Sequence, residues 1–248
     1  MLLSVSAEIL LAACMFFGAA LYSSVGHGGA SAYIALMAIF GVAPGIMRPT
    51  ALMLNIIVTV FTSWRYFNAG MFRWRTLWPF LLGAVPFAFL GGGVQVPGHI
   101  YRPMLGVVLL LSATRMLWPQ ELKPPRPWRD PPVLAGILCG GLIGLLSGLT
   151  GTGGGIFLSP LLIFLAWSEP KPASGAVALF ILCNSAAGLL GNLASVQSLP
   201  PDLPLFAGAV LAGALAGTTL GIRLATPLIL RALGVVLIIA GLKLIGLY

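Results

Sequence analysis

Charge is what this chain has least of. Only 7% of its 248 residues are charged, 13 Lys or Arg against 5 Asp or Glu. A soluble domain carries about 25%. So few charged side chains cannot cover a water-facing surface. With 59% hydrophobic residues and a mean hydropathy of +1.04, most of the surface must face lipid. The few acids are also confined: Glu8, Glu121, Asp130, Glu169 and Asp202 all fall at ends or loops of apolar runs. A carboxylate proton relay and a cation path lined by acids are therefore disfavoured.

Other absences narrow the chemistry. The three cysteines, Cys14, Cys139 and Cys183, form no C-x-x-C pair, so neither zinc nor redox chemistry is indicated. There is no H-E-x-x-H motif and no nucleophile elbow, and no Lys-Ser/Thr follows Gly151-Thr152-Gly153-Gly154-Gly155 to make a nucleotide loop. The expectation is a protein that is not an enzyme, with no catalytic residues, no metal and no cofactor. The net charge of +8 resides in short loops without a basic, aromatic-interleaved stripe, so nucleic acid is not an expected partner. Leu11-Ala12-Ala13-Cys14 resembles a lipoprotein box. Glu8 precedes it and Met15-Phe16-Phe17 continues the apolar run, so the first helix is expected to be retained.

What is present is long apolar sequence without the ten-residue alternation of a β-barrel. Runs fall at about 8–25, 29–42, 49–66, 77–94 and 103–118, and again at about 133–150, 154–167, 173–194, 203–222 and 228–247. The fold class is an all-α polytopic membrane protein. Residues 119–132, rich in proline and charge, read as a cytoplasmic linker between a first repeat (1–118) and a second (133–248).

The repeats echo one another. Ser23-Ser24-Val25-Gly26-His27-Gly28-Gly29-Ala30 returns as Gly148-Leu149-Thr150-Gly151-Thr152-Gly153-Gly154-Gly155. Gly106-Val107-Val108-Leu109-Leu110-Leu111 returns as Gly234-Val235-Val236-Leu237-Ile238-Ile239, with Arg115 matched to Lys243 and Asn55 to Asn184. Arg65, Arg73, Arg75, Arg115, Lys123, Arg126 and Arg129, joined by Lys171, Arg223 and Arg231, are expected on one face. Arg48, Arg102 and Lys243 are expected on the other. The richer face is cytoplasmic by the positive-inside rule. Five segments per half is odd, which predicts inverted repeats. Runs 29–42 and 154–167 are short for a crossing. Each either crosses, giving ten crossings, or forms a re-entrant hairpin with the run before it, its tip near mid-membrane.

The glycine clusters must break their helices, and freed backbone groups cannot face lipid. A helix restarting after each break points an N-terminus inward, where partial positive charge and free N–H groups suit an anion. The candidate substrate-binding set is Gly26, His27, Gly28, Gly29, Gly151, Thr152, Gly153 and Gly154, with Asn55 and Asn184 and the hydroxyls of Ser23, Ser147 and Thr150. Ser24 offers a further hydroxyl. His27 either donates to an anion, carries a coupling proton, or is a structural histidine. Gly18, Gly91 to Gly93, Gly140, Gly141 and Gly144 read as helix packing, and glycine-rich faces would also serve a homodimer. Arg48 reads as snorkelling to headgroups.

Two in-register glycine breaks, Val25-Gly26-His27-Gly28-Gly29-Ala30 and Leu149-Thr150-Gly151-Thr152-Gly153-Gly154-Gly155, resemble those of the TauE/SafE sulfite exporter family, also called the toluene-sulfonate uptake permease family. The resemblance covers nearly the whole chain. It implies a multi-pass transporter in the bacterial inner (cytoplasmic) membrane that moves sulfite or an organosulfonate. Alternating access by one half rocking against the other is the expected mechanism. A passive anion channel and a non-transporting scaffold or assembly factor remain as alternatives.

Overall fold

The computed structural model describes residues 4–117, 128–193, 200–223, 235, 237–239 and 241–246. These are mostly helical, with no strand among them. Among the described residues nine helices are delimited, in order: α1 (Val5–Ser23), α2 (Ala30–Ile39), α3 (Pro44–Asn68), α4 (Trp74–Gly93), α5 (Gly98–Leu117), α6 (Val133–Thr150), α7 (Gly155–Phe164), α8 (Pro170–Asn192) and α9 (Leu203–Arg223). Five described helices are long and apolar enough to cross a membrane. Helix starts follow local chemistry. Ser4 caps α1 by accepting from the Ala7 N–H, and α3 and α8 each begin with a proline, whose missing N–H costs nothing there. Most of the 119–132 linker, much of 228–247, and Glu121, Lys123, Arg126 and Arg231 lie outside the described residues, as do the side chains of Arg115, Lys171 and Arg223.

Helix α3 serves as a ruler through the molecule. Arg48 lies near its start, Asn55 about 10 Å further along and Tyr66 about 16 Å beyond that, at 1.5 Å per residue. The Tyr66 end collects Arg65, Arg73, Arg75 and Arg129. Arg65 donates to Thr219 Oγ1 at 3.0 Å, Arg73 pairs with Asp130 at 3.8 Å, and the Arg129 N–H reaches the Ala166 carbonyl at 2.9 Å. At the Arg48 end, Lys243 Nζ caps α2 through the Ile39 carbonyl at 2.8 Å. These described cations divide between the two faces as the loop charges indicate.

The short helices answer the crossing question. At 10 residues each, α2 and α7 are about 15 Å long, half of a hydrocarbon core of about 30 Å. Neither spans. The expected mid-membrane hairpin tip needs correcting, however. Helix α1 runs as far as the Tyr66 level, where Tyr66 Oη donates to the Ser23 and Ser24 carbonyls. Residues 24–29 then return to the Asn55 level, and α2 continues back toward the Arg48 end. The second pair mirrors this from the opposite end. Helix α6 reaches Arg48, whose Cγ would lie 3.0 Å from a Cβ on Gly151. The chain then returns to Asn55 before α7 begins. Each break thus follows a nearly full-length helix and precedes a half-length one.

The buried core crosses the boundary between the two sequence halves. One cluster joins Leu11 and Met15 of α1, Ile34 of α2, Leu105 of α5 and Val210 of α9. The other joins Leu77 and Phe80 of α4, Ile143 of α6, Leu158 of α7 and Phe180 of α8. Helix α4 packs against α6 and α8, and α9 against α1. Each half therefore lends its fourth helix to the other. The α4–α6 seam depends on Gly140, Gly144 and Gly148, where a Cβ would strike the carbonyls of Phe80, Ala84 and Ala88. This close approach is what small residues permit between membrane helices.

Candidate functional site

Both glycine breaks converge on Asn55, which is fully buried in α3. A Cβ on Gly28 would run into Asn55 Oδ1, and one on Gly153 into Asn55 Nδ2. Gly153 also has φ +78°, a backbone geometry that a side chain would strain. Lack of room requires glycine at both places, and at Gly153 backbone shape requires it as well.

The two candidate asparagines have different partners. Asn55 Oδ1 accepts from the Ala30 N–H at 3.1 Å, so it caps α2 from outside the helix. Its Nδ2 donates to Ser185 Oγ on α8 at 3.2 Å. Asn184 Nδ2 donates to the Gly153 carbonyl at 3.4 Å, and its Oδ1 is buried with no partner. The expected pair of open helix ends is thus asymmetric. Asn55 engages the first N–H of α2, whereas Asn184 leaves the start of α7 and binds the break before it.

His27 links the breaks. Its Nε2 lies 3.2 Å from the Gly155 carbonyl and its Nδ1 3.2 Å from the Val25 carbonyl. A neutral ring carries one N–H and can donate to one of these oxygens, whereas an imidazolium can donate to both. Opposite it, Thr150 and Thr152 pair through their hydroxyls at 2.9 Å, and Thr150 also donates to the Leu146 carbonyl at 2.7 Å. Ser24 donates to Leu21 at 2.6 Å. Ser23 Oγ and Ser147 Oγ are buried without partners, an unusual state for buried hydroxyls. Gly26 lies apart from the asparagines, against the backbone of Ser174 in α8. Gly29 packs on the Tyr33 ring, and Gly154 on Asn184, Ile143 and Phe180. Asn55, Asn184, Gly28, Gly153 and Gly154 form one tight group. His27 and Thr152 flank the breaks, and Ser23 and Gly26 sit toward the Tyr66 end.

Arg48 does not snorkel. It is 6% exposed, and its guanidinium donates to the Gly91 and Gly92 carbonyls, each at 2.6 Å, and to Val94 at 2.9 Å. It satisfies the last carbonyls of α4, where a cation also complements the helix dipole. Its position one turn inside α3 keeps the side chain among helices, away from headgroups.

Several contributors escaped the sequence. Ser185 is the partner of Asn55, yet its counterpart in the first half is Ile56, so matching the repeats could not find it. Tyr66, Tyr101 and Tyr33 hold the breaks open by donating to the carbonyls of Ser23, Thr150 and Gly28 at 3.0, 2.9 and 2.7 Å. In sequence, such tyrosines look no different from an aromatic belt.

Residues 10–244 match the family model described as sulfite exporter TauE/SafE. The chain is 39% identical over 240 residues to "Probable membrane transporter protein y4hK" of Sinorhizobium fredii (strain NBRC 101917 / NGR234), covering 95% of this chain and 97% of that one. It is 28% identical over 251 residues to "Probable membrane transporter protein YjnA" of Bacillus subtilis (strain 168), covering 92% and 96%. No solved structure matches.

Proposed function

The chain belongs to the sulfite exporter TauE/SafE family of membrane transporters, and from that premise we propose that it is a secondary transporter of a small sulfur-containing anion, sulfite or an organosulfonate, in the bacterial inner membrane. One observation carries the reading. Two helix breaks entering from opposite ends of α3 meet at the buried Asn55 and Asn184.

The anion is held between the breaks by backbone N–H groups at the start of α7, by the Ser147 hydroxyl, and by the Asn184 amide. None of the residues grouped there is acidic, so the site presents donors without a competing charge. His27 carries the coupling proton, its ring bridging the two breaks. The two halves act as inverted repeats, and alternating access proceeds by relative motion of two packed units. Because α4 and α9 are exchanged, those units are α1–α2–α3–α5–α9 and α4–α6–α7–α8.

Reconstituting the purified protein in liposomes and following sulfite and organosulfonate flux tests this reading. Saturable flux that responds to an imposed pH gradient is expected. Folded protein that moves none of these anions overturns it.

A further inference from the structure

A cavity of about 850 Å³ opens at the Arg48 end of the molecule. It is bounded by the start of α3 (Ala43 to Pro49), by Gln95 and Val96 between α4 and α5, by the start of α5 (Gly98 to Arg102) and by Asn192 of α8. Two arginines, Arg48 and Arg102, line it, and no lining residue is acidic. The starts of α3 and α5 both border it, so two positive dipole ends add to the two guanidinium charges.

Arg48 is the informative group. It is more than nine-tenths buried. Three of its bonds go to neutral carbonyls of α4, while its Nε is buried with no partner. A buried cation without a counter-charge is costly. A cavity lined by two arginines and no acid, one of them buried without a counter-charge, is chemically suited to an oxyanion.

The cavity also abuts the candidate site. Arg48 packs on Gly151, and Tyr101, another lining residue, donates to the Thr150 carbonyl at 2.9 Å. Both residues therefore form part of the cavity wall and of the support for the second break.

We propose that this cavity is a vestibule that captures a small oxyanion through Arg48 and Arg102 before the anion passes to the Gly151 to Gly154 break. The proposal rests on the anion-transport reading above, adding an entry site distinct from the Asn55 and Asn184 centre. The vestibule faces the side opposite Arg65, Arg73 and Arg75, which is the outer side by the positive-inside rule.

The test is equilibrium binding of radiolabelled sulfite to purified protein in nanodiscs, with liposome flux measured in parallel. Arg102 is exposed, so Arg102→Gln should fold normally. Arg48→Lys keeps the charge but removes the planar guanidinium, and Arg75→Gln makes the charge change of Arg102→Gln on the opposite face. Sulfite affinity is expected to fall about tenfold in Arg102→Gln and Arg48→Lys, as for loss of one charge-assisted contact, and to stay unchanged in Arg75→Gln. Unaltered affinity in folded Arg102→Gln overturns the vestibule, as does an equal fall in Arg75→Gln. Absence of sulfite, sulfate and phosphate binding to the wild type also overturns it. Binding that weakens as expected without any flux supports the vestibule while the transporter reading fails. Flux with Arg102-independent binding does the reverse.

Discussion

Asn55 and Ser185 join the two halves of the molecule at the level where both helix breaks meet. The amide donates to the hydroxyl at 3.2 Å, and the same amide's oxygen accepts from the Ala30 N–H. One side chain thus caps α2 and ties α3 to α8. Asn55→Ala leaves the Ala30 N–H buried without its acceptor and should destabilise the protein by about 1–3 kcal/mol. Ser185→Ala removes only one bond and should cost about 1 kcal/mol. Thermal unfolding in detergent should rank wild type, Ser185→Ala and Asn55→Ala in that order of decreasing stability.

Asn184 should behave differently. It makes one long bond, to Gly153, and its Oδ1 has no partner. Asn184→Ala is expected to lose about 1 kcal/mol of stability at most from that bond, while sulfite flux falls severely. Parallel melting and flux curves check this. A melt as damaged as that of Asn55→Ala, with flux retained in the folded fraction, would make Asn184 structural.

Gly28→Ala and Gly153→Ala are poor discriminators between a site role and a packing role. Both place a methyl group against Asn55, so both should unfold the break as well as silence any site. The α6 seam gives a cleaner packing test. Gly144→Val drives a side chain into the Ala84 carbonyl and should cost about 1–3 kcal/mol by overpacking. Its readout is a lower melting temperature. Protein that still folds should keep its sulfite affinity.

His27 faces two carbonyls across the two breaks. In His27→Gln the amide can still donate but cannot carry a titrating proton. Sulfite binding at fixed pH should change little, and the stimulation of flux by a pH gradient should disappear. Gradient-driven flux that survives in the variant would assign His27 a structural role.

Tyr66 and Tyr101 each cap the end of a helix that stops inside the protein. Tyr66→Phe and Tyr101→Phe delete only the hydroxyl and should each cost about 1 kcal/mol. The two effects should add, because the residues support separate breaks. A double variant measured by thermal unfolding checks the sum.

Composition and pattern were enough for the membrane class, the helix positions and the breaks. Eighteen-residue apolar runs have one low-energy arrangement in lipid, the helix, because every backbone group must be satisfied within the segment. Gly26 to Gly29 and Gly151 to Gly154 interrupt that arrangement whatever surrounds them. The charges of Arg65, Arg73, Arg75 and Arg129 divided the faces because burying them in lipid is expensive. Pairing was a different matter. That α4 packs on α6 and α9 on α1, that Asn55 chooses Ser185 and the Ala30 N–H, and that Arg48 turns inward to the end of α4 all depend on which surfaces meet in three dimensions. Apolar helix faces resemble one another in sequence, and lipid supplies little hydrophobic force to tell them apart. Close packing and a few buried hydrogen bonds make the choice, and these exist only once distant segments are brought together.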